Sequence, residues 1–150
     1  MIRKRTRARE CALQILYQLE VNPEPLEELL QGFWMGEEQK AMTSDMREFA
    51  EAIVRGTLEH KDEIDQLVNR YADNWQIHRM AMIDRNILRY ATYELLYQAD
   101  IPPKVTINEA VNLAKKFSQE ESGKFVNGIL DKINHTEKPR NPKADVPSDT

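Results

Sequence analysis

Apolar side chains recur in this sequence at steps of three and four, and that spacing constrains the fold more than any other feature. Ala8, Cys11, Ala12, Ile15, Leu16 and Leu19 draw one stripe along a helix of about four turns. Pro23 and Pro25 end it, and Pro25 suits the first position of a second helix carrying Leu26, Leu29, Leu30, Phe33 and Trp34. Gly36 marks the stop, and residues 36–43 read as a loop. Ser44 or Asp45 caps a third helix with Met46, Phe49, Ala50, Ile53, Val54 and Leu58 on one face. A fourth, near 61–72, carries Ile64, Leu67, Val68 and Tyr71. An irregular stretch follows at Asp73-Asn74, with Trp75 and Ile77 expected to anchor it.

The pattern resumes over 83–98 with Ile83, Ile87, Leu88, Ala91, Leu95 and Leu96. Pro102-Pro103 breaks it, and Thr106 with Glu109 has the spacing of a capping box for the next helix. Ile107, Ala110, Val111, Ala114 and Phe117 form its apolar face. Ser122 is placed to cap a last helix holding Val126, Ile129, Leu130 and Ile133. From about 136 the chain has three prolines and no stripe, so 136–150 is expected to be a disordered tail behind a domain over 1–135. No strand alternation persists. The sequence therefore predicts an all-α fold of about seven helices with short connections.

Composition removes several classes. At 150 residues and 41% apolar content, the chain is long enough for a sizeable core and too apolar to be wholly disordered. No apolar run approaches the ~18 residues of a membrane span. The basic N-terminus leads into no apolar h-region, so a secretory signal is not expected. One cysteine, Cys11, allows no internal disulfide and fits a reducing cytoplasm. Five glycines are few for a Gly-rich nucleotide fold. Gly123 and Gly128 have phosphate-loop spacing, but Ile129-Leu130 follow where Lys and Ser/Thr are required. His60, His78 and His135 are scattered, without metal-ligand spacing, so no metal or cofactor is expected. Cys11, on an apolar stripe, reads as a small buried hydrophobe rather than a nucleophile.

Charge distribution carries the strongest functional signal. The net charge is −4. Arg3, Lys4, Arg5, Arg7 and Arg9 face only Glu10 within the first ten residues, a local +4 that leaves −8 on the rest. Such a concentration favours a phosphate backbone, through release of condensed counterions. Arginine adds forked hydrogen bonds and stacking. Cations at a helix start oppose its dipole by ~0.3–1 kcal/mol each, a cost that points to a use. The alternative is a solvated tail. A second signal is Ser122-Gly123-Lys124-Phe125-Val126-Asn127-Gly128, placed where a helix begins. Lys124 adds charge and Asn127 is able to read a base edge. Phe125 is either a core residue, one turn from Ile129, or a platform for an unpaired base. Tyr17 falls beside its stripe and is expected to be exposed to a partner.

Several runs together resemble one family. They are Arg7-Ala8-Arg9-Glu10-Cys11-Ala12 with Leu16-Tyr17, Ile83-Asp84-Arg85-Asn86-Ile87-Leu88-Arg89, Tyr93-Glu94-Leu95-Leu96, Ile101-Pro102-Pro103-Lys104-Val105, Ile107-Asn108-Glu109-Ala110-Val111 and Gly123 to Ile133. In this order, over about residues 3–134, they are similar to the NusB family of bacterial antitermination factors. The resemblance implies two packed three-helix bundles and a non-enzymatic RNA-binding role. It implies binding of single-stranded boxA RNA together with the ribosomal protein NusE, alongside other Nus factors and RNA polymerase, in support of ribosomal RNA transcription. By position, Arg5, Arg7 and Arg9, with Arg3 and Lys4, would grip phosphates. Lys124, Phe125 and Asn127 would meet bases, with Phe125 stacking. Glu121 stands where the family often has Asp, and an acid there repels phosphate. Tyr17 and Asp84 match positions facing NusE. The oligomeric state stays open between monomer and homodimer. Two rival readings are a helical adaptor that binds only protein, and the RNA-binding module of an RNA methyltransferase system.

Overall fold

The computed structural model describes residues 4–73 and 75–140. Among them lie seven α-helices, one 3-10 turn and no strand: α1 (Lys4–Val21), α2 (Leu26–Trp34), α3 (Ser44–Glu59), α4 (Lys61–Tyr71), the turn Ile77–Arg79, α5 (Met82–Tyr97), α6 (Pro103–Phe117) and α7 (Glu120–Thr136). No helix among the described residues is long and apolar enough to cross a membrane. The chain divides after Gly56 into two compact units. The division is uneven rather than three and three. The first unit holds α1, α2 and most of α3; the second holds four helices, α4 to α7.

In the first unit the stripe read from the sequence is buried: Ala8, Cys11, Ala12, Ile15 and Leu16 on α1, Leu29, Leu30 and Trp34 on α2, Ala50, Ile53 and Val54 on α3. Polar clasps join α2 to α3. The Trp34 indole Nε1 donates to Glu51 Oε2 at 2.7 Å, and Arg55 forks onto Glu27 at 2.5 and 3.2 Å. The start of α3 differs from expectation. Thr43, one residue earlier, caps it: its Oγ1 accepts from the Met46 N–H at 3.3 Å.

In the second unit α5 is the central element, packed against α4, α6 and α7. Burial of Ile87, Leu88, Tyr90, Ala91, Leu95 and Leu96 accounts for its near-continuous apolar face. Three polar links fix its neighbours. Arg89 grips Asp65 of α4 (Nε to Oδ1 2.8 Å, an Nη to Oδ2 3.2 Å). Thr106 Oγ1 donates to buried Glu94 Oε1 at 2.8 Å. Ser122 Oγ donates to Asp84 Oδ2 at 3.0 Å. These links overturn two expected caps. α6 starts at Pro103, three residues before Thr106, because a proline ring presets the helical φ there. α7 starts at Glu120, so Ser122 lies inside the first turn and is used laterally. At Gly123 the two helices α6 and α7 run close together: a Cβ there would come within 3.0 Å of Lys115 Cγ and Cε and 3.4 Å of Val111 Cγ1.

α7 ends at Thr136, and the described residues beyond it make contacts with the second unit. The Arg140 N–H donates to the Leu96 carbonyl at 2.7 Å, Arg140 Nε donates to Glu63 Oε2 at 2.8 Å, and the Tyr71 hydroxyl donates to Glu137 Oε2 at 2.6 Å. Residues 137 and 140 thus meet complementary groups on α4. Residues 141–150 lie outside the described residues.

Candidate nucleic-acid interface

Because α1 begins at Lys4, the basic run forms the first turns of a helix, and its cations point in different directions. Lys4 and Arg5 are exposed. Arg7 donates to Glu10 Oε1 at 2.9 Å and lies 3.9 Å from Glu38. Arg9 is only 2% exposed. It is four and seven residues before the buried Leu13 and Leu16, so the helical period turns it inward. Arg9 is thus turned away from solvent, and Arg7 is partly neutralised. Arg3 lies outside the described residues. Phe49 of α3, which the sequence offered only as core, serves as a rest for the arm. The Arg5 guanidinium sits 4.4 Å from its ring centroid and that of Arg9 5.2 Å, both cation–π distances. Lys4, Arg5 and Phe49 also line a cavity of about 500 Å³ with Asp45 and Glu48.

Cys11 is buried, and burial pushes its thiol pKa up, so the reactive thiolate is suppressed. Among the described residues no three His, Cys, Asp or Glu side chains gather as a metal site.

The other signal lies on the second unit. Lys124 and Asn127 are exposed on α7, as is Glu121. Phe125 is half-buried, outside the core, one turn beyond Glu121. It forms a wall of an open cavity of about 400 Å³ shared with Trp75, Arg79, Asp84, Gln119 and Glu121. Phe125 is thus not one of the fully buried side chains. Trp75, expected to tuck in, is 52% exposed and lines the same cavity as Phe125, fifty residues away in sequence. Ile77 supplies the anchoring instead: it is 5% exposed and its N–H donates to Asn69 Oδ1 at 2.7 Å. Sequence reasoning did not place Trp75 beside Phe125. The available signal was its place in a loop, outside any helical stripe.

Of the two expected partner residues, Tyr17 is 40% exposed on α1. Asp84 is 9% exposed and holds Ser122, so its observed task is to fix the start of α7.

Comparison with known proteins decides the family. The family model described as the NusB family matches residues 6–135. The chain belongs to the NusB family. It is 48% identical over 138 residues to transcription antitermination protein NusB of Thermodesulfovibrio yellowstonii, covering 87% of this chain and 91% of that protein. A solved structure of NusB from T. maritima superposes with a TM-score of 0.82 at 41% identity, covering 93% of this chain and 96% of that one. A crystal structure of antitermination factors NusB and NusE in complex with double-stranded RNA gives a TM-score of 0.78 at 32% identity, covering 90% and 98%.

Proposed function

We propose that this NusB-family chain is a non-enzymatic transcription antitermination factor of the bacterial cytoplasm. It binds boxA-type RNA together with NusE and joins the elongating RNA polymerase with other Nus factors. Membership of the family over residues 6–135 carries this reading. The relative crystallised with NusE and RNA supports both partners. The surface layout supports the chemistry: Lys4 and Arg5 stand exposed at the start of α1, and Lys124 and Asn127 in the first half of α7.

The division of labour follows from physics. Lys4 and Arg5, with Arg3 and the remaining charge of Arg7, supply salt-sensitive, sequence-tolerant attraction to phosphate. Phe125 and Asn127 supply base contact, which is where single-stranded RNA is discriminated. Glu121 beside Phe125 opposes phosphate and limits the affinity of the lone protein. NusE then adds a second surface, met by Tyr17 and, at the cavity wall, by Asp84. The adaptor and methyltransferase-module readings have no structural observation in their favour.

The test is a titration of boxA-like single-stranded RNA, its scrambled control and a double-stranded form, each with and without NusE. Tighter binding of the boxA strand in the presence of NusE is expected. Absence of RNA binding in every arrangement would leave only a protein-binding module.

A further inference from the structure

We propose that Phe49 is the positioning residue of the basic arm: its ring holds the Arg5 guanidinium ready for an RNA phosphate without cancelling its charge. This rests on the RNA-binding role above and deepens it by naming a residue that acts on RNA only through another.

Three observations carry it. First, Arg5 lies in the first turn of α1 and is exposed. Helix ends fray, and an exposed arginine samples many rotamers, so gripping a phosphate from such a place costs ordering entropy. Second, the Arg5 guanidinium nevertheless sits 4.4 Å from the ring centroid of Phe49, which α3 supplies from far along the chain. The buried guanidinium of Arg9, one turn further on, lies 5.2 Å from the same centroid. Like charges repel, so packing alone gives no reason for two arginines on one ring. Third, Phe49 is half-buried rather than closed inside the core, and it lines the cavity that Lys4 and Arg5 share.

The contrast with Arg7 gives the mechanism. Glu10 holds Arg7 by an ion pair at 2.9 Å and neutralises part of its charge. An aromatic ring attracts a cation through its quadrupole and carries no net charge of its own. Arg5 is therefore held in place, as Arg7 is, but keeps its full charge for a phosphate. The ordering is complete before RNA arrives, and preorganisation of this kind raises affinity without a new contact to the ligand. Asp45 and Glu48 line the same cavity and repel phosphate from its interior, so RNA meets the guanidinium from the solvent side.

The experiment titrates the full chain, alone and with NusE, against a boxA-like single-stranded RNA by anisotropy at several salt concentrations, with thermal unfolding of every variant. Phe49→Leu should weaken binding by about 2- to 5-fold, the worth of an exposed cation–π contact. It should leave the salt slope alone, because no phosphate contact is lost. Phe49→Tyr, which keeps the ring face, should bind as the parent does. In an Arg5→Gln background, Phe49→Leu should have no further effect on RNA binding, because the ring then has nothing to position. In the free parent the Arg5 side-chain protons should show upfield ring-current shifts by NMR that vanish in Phe49→Leu. Unshifted protons overturn the proposal. So does a Phe49→Leu protein whose Tm falls while its RNA affinity stays, or one that loses the same affinity with and without Arg5; both describe a ring that only supports the fold. Should Phe49→Leu unfold below the titration temperature, Phe49→Met, closer to the ring in volume, makes the same comparison. Failure of the parent chain to bind RNA in either arrangement removes the underlying reading and the proposal with it, whereas the ring-current shift reports the contact by itself.

Discussion

Neutralising Lys4 and Arg5 together should flatten the salt dependence of RNA binding, whereas Arg9→Met should not. Each contact with a single-strand phosphate contributes about 0.7 to the slope of log K against log salt. A fourfold rise in salt therefore weakens binding by about 2.6-fold per contact. The structure leaves Lys4 and Arg5 exposed, ties Arg7 to Glu10 and buries Arg9. Lys4→Gln with Arg5→Gln should then remove about 1.4 from the slope, or roughly sevenfold of the salt effect between ~50 and ~200 mM. A freely solvated arm would give the same decrement, about 0.7, for Arg9 as for Arg5. Arg9→Met should act on stability instead. It removes a buried guanidinium resting on Phe49, a contact worth about 2 kcal/mol when desolvated. A loss of that size lowers Tm by about 4–8 °C in a chain of this length. Anisotropy titrations at five salt concentrations, with thermal unfolding of each variant, separate the two effects. A folded Arg9→Met protein that loses as much slope as Arg5→Gln would refute the reasoning.

Other outcomes follow from the same geometry. Glu121→Gln should tighten RNA binding by the chain without NusE; unchanged or weaker affinity would show that the acid does not repel phosphate. Leu130→Ala, at a fully buried site on α7, should cost about 2–5 kcal/mol in denaturant unfolding and leave the salt slope alone. Hydrogen bonding from Tyr71, followed by Arg140, holds the Glu137 carboxyl below the usual range despite some burial. Its stabilisation is therefore present above the ordinary carboxylate pKa and is lost as pH falls through the lowered one, so Glu137→Gln should blunt acid destabilisation in a pH series of melts. Burial, with the hydrogen bond to Glu63, pushes the Tyr97 phenol up to about 12. The native state thus loses that support between pH ~10 and ~12, and Tyr97→Phe should flatten the alkaline limb of the same series.

The helices were legible in the sequence because a 3.6-residue period is a local property. The stripe Ala8–Leu19, the break at Pro102-Pro103 and the face Val126–Ile133 all lie in the elements they announce. Helix starts were less legible. Thr106 and Ser122 have the chemistry of caps, but each faces a carboxylate on α5, Glu94 or Asp84, and a lateral bond competes with a cap. The contacts of residues 137–140 were illegible for a similar reason: Arg140 finds Glu63 across 77 residues of sequence.

The family, too, was written in the order of short motifs, and the basic start of α1 in plain charge. What the sequence could not assign was which of those charges faces water. Lys4, Arg5, Arg7 and Arg9 spread around α1, and only packing of the first unit decides that Lys4 and Arg5 point out while Arg9 points in. Likewise Trp75 and Phe125 are fifty residues apart, and no local rule joins them. Period, capping chemistry and net charge are properties of neighbouring residues. Burial, pairing and a shared cavity depend on which distant surfaces meet, and that is set by the tertiary fold.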